Sequence, residues 1–182
     1  MMIKRGHQNM LGLIPILFCS VFGVGFIPFA PGTFGSLVGM FLARYLYFSP
    51  NFRIIITALL LLLVLLSLPL VKNVLKNPPQ KWGAKNRPDK AFDPSYVVID
   101  EVIGQLLTIL IVSFAVELTT YIFSMCFFAF RVFDILKPWP IRQIELFFDG
   151  KEKYRPAGIV IDDVIAGVLA GLILIGASKF LL

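Results

Sequence analysis

Apolar residues fill this chain in long blocks and do not alternate with polar ones. Five stretches contain no Lys, Arg, Asp or Glu: 6–43, 54–71, 102–116, 118–130 and 164–178. Blocks of this length without a polar beat at every second residue predict helices that are buried or face lipid. The run IIITALLLLLVLLSLPLV, 54–71, rises about 1.5 Å per residue and so reaches about 27 Å, close to the hydrocarbon thickness of a bilayer. The expected helices are 33–48, 54–71, 97–115, 116–135 and 158–178, with residues 11–29 as a re-entrant or interfacial segment. The predicted fold class is all-α, a polytopic membrane helical bundle forming a single domain over residues 1–182.

Composition supports this class. Hydrophobic residues make up 58% of the 182 positions and the mean hydropathy is +0.84, above the roughly 45–50% apolar content of soluble domains. The apolar stretch after Lys4 and Arg5 contains prolines and has no A-x-A cleavage site, so it reads as mature protein and not as a signal peptide. Cys19 and Cys126 sit in apolar surroundings and fit neither a zinc site nor a disulfide scaffold.

The net charge of +6 is unevenly placed. Lys72, Lys76, Lys81, Lys85, Arg87 and Lys90 crowd one loop against Asp89 and Asp93. Lys137, Arg142, Lys151, Lys153 and Arg155 crowd another. Basic patches can serve nucleic acid, but loops that flank spans are explained by the positive-inside rule, so no nucleic-acid partner is expected and both loops are placed in the cytoplasm. Counting from them, 54–71 runs inward, 97–115 outward, 116–135 inward and 158–178 outward, with the turn near Glu117 outside. Residues 33–48 then run outward, so that Arg44 and Arg53 flank an external connection. The segment KNPPQKWGAKNRPDKAFDPS, 76–95, reads as a polar, proline-rich loop.

This topology gathers acids. Asp100 and Glu101 fall at the inner start of one helix, Asp134 at the inner end of the next, and Asp162 and Asp163 at the inner start of the last. An ionised carboxylate at a bilayer centre costs on the order of 2.5–3.5 kcal/mol, so five near one interface point to binding or chemistry. The Gly/Pro-rich stretch PFAPGTFGS, 28–36, falls at the same depth and reads as a loop lining the site. Helical spacing puts Glu101 on a face with Gly104, Gln105 and Thr108, and Asp163 with Ala166, Gly167 and Ala170, small residues that let membrane helices approach closely. Asp100 shares its face with Ile103, Leu107 and Ile111, and Asp162 lies toward Ile165 and Leu169; both rank second. Arg131, Asp134 and Lys137, three apart, lie on neighbouring parts of one helix face, which Pro138 and Pro140 end, turning the chain along the interface. Arg131 and Asp134 could simply neutralise each other, but the convergence of acids and bases favours a site.

Carboxylates without His or Cys ligands suit a hard cation, Mg²⁺ before Zn²⁺, and Arg131, Lys137 and Arg142 supply phosphate-binding donors. Together they suggest metal-assisted phosphoryl chemistry on a lipid head group. Covalent routes are disfavoured: Cys126 and Arg131 are one residue too close for a cysteine phosphatase, no D-x-D pair is present, and the sole histidine is His7. KWGAKNRP misses the basic motif of the histidine-using lipid phosphatases by one residue. The rival is a small ion- or proton-coupled transporter, which predicts acids spread through the membrane depth.

GVGFIPFAPGTFGSL (23–37), VVIDEVIGQ (97–105), FRVFDILKPWPIR (130–142) and GIVIDDVIAGV (158–168) resemble, in order and spacing, four signature segments of the phosphatidylglycerophosphatase A family. The resemblance covers roughly a third of the chain, and the long basic loop 72–96 departs from it. It implies a multihelical Mg²⁺-dependent phosphatase of the bacterial inner membrane that converts phosphatidylglycerol phosphate to phosphatidylglycerol. Carried over by position, Glu101, Asp134, Asp162 and Asp163 are acid or metal residues with Asp100 beside them. Arg131 and Lys137 face phosphate, and Thr33 and Ser36 sit in the loop. The expected arrangement has Glu101, Asp134 and Asp163 holding Mg²⁺ and Asp162 or Asp100 handling the attacking water. Backbone N–H groups and hydroxyls of the Gly/Pro loop would cradle phosphate.

Overall fold

The order of the helices follows the apolar blocks, and their lengths follow the breakers between them. The computed structural model describes residues 10–79, 94–148, 151 and 154–181. Within these there are seven helices: α1 Met10–Cys19, α2 Pro31–Leu46, α3 Phe52–Lys76, α4 Ile99–Val112, α5 Thr120–Leu136, α6 Ile141–Phe148 and α7 Arg155–Leu181. A single 3₁₀ turn, Val24–Phe26, separates α1 from α2, and the described residues contain no strand. The core of the expected basic loop, with Lys81, Lys85, Arg87, Lys90, Asp89 and Asp93, lies outside the described residues, as do Lys4, Arg5, His7 and Lys153.

Contacts fix the helix directions. The start of α2 meets the start of α4, because a side chain at Gly32 would strike Glu101. The far end of α2 meets the starts of α3 and α5 through Tyr47, whose ring is edge-on to Phe52 and Phe123 at 5.4 and 5.7 Å. Arg53, near the start of α3, donates to the carbonyl of Ser113 at the end of α4 at 2.5 Å. Helices α2 and α4 therefore run away from one end of the bundle and α3 and α5 run toward it. Helix α7 runs alongside α4, with Asp163 near Gly104 and Gly171 near Ile111. Nearly every residue of α4 is buried. It is the central helix, with α2, α3, α5 and α7 packed around it.

Glycines set the two closest crossings. A Cβ on Gly104 would meet the Phe130 ring and the Asp163 carbonyl, and one on Gly167 would lie 2.5 Å from the Gly104 carbonyl oxygen. The Thr108 hydroxyl sits beside this contact, close to the Gly104 and Gly167 carbonyls at 2.9 and 3.2 Å, and ties α4 to α7. On the other side of α4, Gly35 and Gly39 of α2 approach Val98 and Gln105. Small residues at such crossings let backbones approach and gain dispersion energy where lipid offers no hydrophobic driving force.

The outer faces are apolar. Ile54, Leu61, Leu62 and Leu65 on α3, Tyr121, Phe128, Val132 and Ile135 on α5, and Leu172 and Ile173 on α7 are all exposed. Helices α3 and α7 are long and apolar enough to cross a membrane.

The structure differs from the expected elements at 28–36 and after Pro140, and it adds detail to the segment 11–29. The Gly/Pro loop 28–36 becomes helix from Pro31 onward. Proline fits the first helical turn, where its missing N–H would have had no partner anyway, and Gly32, Gly35, Ser36 and Gly39 recur at helical spacing to form the buried face of α2. Residues 11–29 hold only a ten-residue helix, about 15 Å long by its rise. It ends in a turn in which Val21, Phe22 and Gly23 have positive φ. Finally, Pro138 and Pro140 do end α5, but the chain then forms α6, a short helix absent from the expected set.

The glycine crossings yield a prediction. Gly104→Val and Gly167→Val force overpacking between α4 and α7 and destabilise the protein by at least about 1–3 kcal/mol. Gly176→Ala, where a Cβ meets nothing within 4 Å, leaves stability unchanged or slightly raised. Thermal unfolding of the three variants in detergent checks this, and equal midpoints would contradict it.

Candidate active site

Three helices deliver charged side chains to one end of the bundle. The first turn of α4 contributes Asp100 and Glu101, the last two turns of α5 contribute Arg131 and Asp134, and the residue after α5 contributes Lys137. The second turn of α7 contributes Asp162 and Asp163. Asp100, Glu101 and Asp163 each offer one carboxylate oxygen, and these lie within 4.8 Å of one another. Asp134, Asp162 and Glu101 all act electrostatically on Asp163. The five acids expected to meet are thus brought together.

The bases are already in use. Arg131 Nη1 donates to Asp134 Oδ2 at 2.5 Å and to Ser36 Oγ at 3.3 Å. Lys137 Nζ bonds Asp162 Oδ2 at 2.6 Å and Glu145 Oε1 at 3.1 Å. Burial alone would disfavour the ammonium form of Lys137. The hydrogen-bonded carboxylates of Asp162 and Glu145 outweigh it and hold the amine above the ordinary lysine range. Lys137 adopts a left-handed conformation, φ 41°, as the residue that stops α5, which turns its amine toward α6 and α7. The same helix-ending turn lets α6 place Glu145 against it.

The remaining expected residues are placed less centrally. Thr33 is half-buried in the first turn of α2, where its amide and that of Phe34 bond the Ala30 carbonyl at 3.0 and 3.3 Å. Those two N–H groups are therefore committed to the helix start, not free in a loop. Ser36 is fully buried. Its hydroxyl donates to the Gly32 carbonyl at 3.0 Å and accepts from Arg131, so its direct contact is with the guanidinium. Arg142 is exposed on α6.

Asp100 ranks second by helical spacing, yet it is only 3% exposed and belongs to the close group of three oxygens. Spacing separates an inner face from an outer one, and α4, enclosed on all sides, has no outer face. Two residues were missed. Glu145 is the only acid in the stretch PWPIRQIELFF and could have been noticed as the partner of a nearby base. Gln105 is a polar residue one turn after Glu101 inside an apolar run, and it is completely buried.

The donor set bears on what could be held here. Asp163 Oδ2 is buried and has no protein hydrogen-bond partner, and one oxygen each of Asp100, Glu101 and Asp163 lies within 4.8 Å of the other two. Desolvated carboxylate oxygens this close repel one another unless a cation lies between them, and an all-oxygen set without His or Cys fits a hard divalent ion such as Mg²⁺. Asp100, Glu101 and Asp163 could hold it. Asp134 Oδ2 is bonded to Arg131, and the close group of three oxygens has Asp100 in the place that the expected trio of Glu101, Asp134 and Asp163 gives to Asp134.

Known proteins carry the same sequence pattern. The family description phosphatidylglycerophosphatase A matches residues 17–178. A Bacteroides thetaiotaomicron protein named "Putative phosphatidylinositol-3-phosphatase" is 34% identical over 171 residues, covering 93% of this chain and 96% of its own. Phosphatidylglycerophosphatase A of Haemophilus influenzae is 34% identical over 164 residues, 88% of this chain and 86% of its own. The Escherichia coli protein of the same name is 30% identical over 154 residues, with coverage of 84% and 77%. No solved structure matches the chain. With one family description spanning nearly all of the chain and relatives aligned across most of their length, this protein belongs to the phosphatidylglycerophosphatase A family and is a phosphoric monoester hydrolase.

Proposed function

We propose that the protein hydrolyses the terminal phosphate of phosphatidylglycerol phosphate to give phosphatidylglycerol and inorganic phosphate, with Mg²⁺ as cofactor. The observation that carries this reading is the meeting of Asp100, Glu101 and Asp163 within 4.8 Å beside Arg131 and Lys137, in a chain of this family. Mg²⁺ held by Asp100, Glu101 and Asp163 supplies charge stabilisation at the phosphoryl oxygens. Arg131 brings the donors not spent on Asp134 and Ser36 to the same phosphate, and Lys137 its third N–H. Arg142, exposed nearby in sequence on α6, is assigned to the approaching head group, and Thr33 to the rim of the site.

Water attacks phosphorus, the bond to the glycerol oxygen breaks, a carboxylate takes the proton of the water, and the departing glycerol oxygen takes up a proton from that carboxyl group or from solvent to become the product hydroxyl. Of the two candidates for that carboxylate, Asp162 has both oxygens engaged, Oδ2 by Lys137 and Oδ1 by the Asp163 amide at 3.1 Å. The base in this scheme is Asp162 or Asp100, with Asp162 held in place by those two bonds. Fixed charges aimed at a transferring phosphoryl group are most of what the reaction needs. The transporter reading is not favoured, since the acids collect at one end of the bundle and the family is a phosphatase family.

The exposed apolar faces of α3, α5 and α7 support a multi-pass position in the bacterial inner membrane. Lys72 and Lys76 end α3 on the same side as Lys137, Arg142 and Arg155, which by the positive-inside rule puts the site at the cytoplasmic surface. In this reading α1 is re-entrant or interfacial. One further substrate deserves a direct comparison, phosphatidylinositol 3-phosphate, because the Bacteroides relative aligns over 93% of this chain.

Purified protein in detergent micelles should release phosphate from phosphatidylglycerol phosphate with Mg²⁺ and stop when the metal is chelated. Asp163→Asn and Glu101→Gln should each lose more than about 100-fold in kcat, beyond the 10–100-fold typical of groups that only support a ligand. No release with any divalent ion would overturn the reading, and faster release from phosphatidylinositol 3-phosphate would move the substrate assignment. A second expectation concerns Lys137. Its raised value means that its contribution to stability is complete below the unfolded lysine pKa of about 10.4 and is lost only as pH climbs through the folded value. Lys137→Met therefore lowers the unfolding free energy by about 1–3 kcal/mol at about pH 8, below the range in which the lysine itself titrates. Equal unfolding free energies for variant and wild type in detergent would refute this.

A further inference from the structure

Gln105 is the one completely buried side chain in α4 whose carboxamide nitrogen and oxygen both have no protein hydrogen-bond partner. Leaving such a group unpaired costs about 1–3 kcal/mol per atom, so native structures rarely tolerate it without a reason. A leucine or methionine would fill the same space at no such cost. Packing alone therefore does not explain glutamine here.

Its position supplies the reason. Gln105 lies one turn after Glu101, and helical side chains lean toward the N-terminus, so the carboxamide is directed back toward Glu101. Its stem is held on the other side, since a Cβ on Gly39 of α2 would touch Gln105 Cβ and Cγ at 3.2 and 3.3 Å. Glu101 Oε2 is a buried acceptor without a protein partner, and Arg131 Nε is a buried donor without one. Arg131 and Glu101 meet at the same spot on α2, because a Cβ on Gly32 would strike Glu101 Oε1 and lie 3.4 Å from Arg131 Nη1. Gln105 Nε2 and Oε1, Glu101 Oε2 and Arg131 Nε are thus buried polar atoms without a protein partner, on three side chains packed against the face of α2 that carries Gly32, Ser36 and Gly39.

We propose that Gln105 is a positioning residue for the site: through bridging water, its Nε2–H is linked to Glu101 Oε2 and its Oε1 to Arg131 Nε–H. The carboxamide is neutral and cannot compete for the cation or the phosphate. What it does is fix the rotamer of the carboxylate above it and couple that carboxylate to the guanidinium. Glu101 then presents its other oxygen to the ion without having to be ordered on binding. This rests on the phosphatase reading of the site, and it adds a residue one layer deeper than any of the charged groups.

The test uses the full-length protein in detergent, with Gln105→Met, which keeps the volume and removes the hydrogen bonds. Three readouts are taken: thermal midpoint, kcat and KM for phosphatidylglycerol phosphate in mixed micelles, and Mn²⁺ affinity without substrate by electron paramagnetic resonance. The expected result is a folded variant whose kcat falls about 10–100-fold, as for other groups that orient a metal ligand, with KM unchanged within about twofold and Mn²⁺ affinity weakened about tenfold. A lone filler role would leave kcat and Mn²⁺ affinity at wild-type values, and that result overturns the proposal. If Gln105→Met does not accumulate, Gln105→Asn, whose shorter carboxamide falls short of Glu101, is expected to show the same loss in kcat; wild-type kcat there also overturns it. Wild-type protein that releases no phosphate defeats the phosphatase reading itself, a failure separate from an active wild type beside an equally active Gln105→Met.

Discussion

The contact between Gly104 and Gly167 governs how near α4 and α7 can come, and every other feature of the acidic end depends on that distance. Asp100 and Glu101 sit one turn before Gly104, and Asp163 one turn before Gly167. With the two glycines in contact, the carboxylates have no choice but to converge. The Thr108 hydroxyl locks the same crossing from the far side. A wider crossing would relieve the repulsion among the acids, so the helix packing holds the carboxylates together against their own electrostatics. Stability and site are here in opposition, and the crossing is where the opposition is settled.

Around this crossing the remaining helices act as counterweights. Helix α5 ends with Arg131 bound to Asp134 and to Ser36, joining α5 to α2. The left-handed residue that stops α5 is Lys137, which binds α7 through Asp162 and α6 through Glu145. Positive and negative groups are therefore arranged in linked pairs around Asp100, Glu101 and Asp163, whose nearest oxygens lie within 4.8 Å of one another. The pairs place charge at the edge of the site. In the proposed reading the central oxygens would hold the cation, and phosphate would be attracted by the basic edge and by that ion alike.

Much of this was readable from residue spacing. The acids at 100–101, 134 and 162–163 fall at helix ends of matching direction, and Ala166, Gly167 and Ala170 mark the tight face of α7. What spacing did not carry was the environment of α4. A helix with a single lipid face sorts its side chains into inner and outer, and Asp100 was ranked accordingly; a helix enclosed on every side sorts nothing, and only the packing of four neighbours shows that. The stretch 28–36 misled for a related reason. Gly and Pro are the marks of a loop when isolated, but Pro31 starts a helix, and the glycines that follow are spaced for close contact with α4. Helix α6 and its Glu145 lay hidden behind two prolines that ended one helix without announcing another.

The acidic pair of α7 also has an implication for how the molecule is made. Asp162 and Asp163 leave the ribosome after α1 to α6, so Asp100, Glu101 and Lys137 are already in place before their partners exist. Until α7 docks, the Lys137 ammonium has Glu145 of α6 for a partner but not yet Asp162, and the side of α4 that carries Gly104 is open. The docking of α7 supplies the second carboxylate and closes that side, so the acidic cluster can form only after α7 has been made.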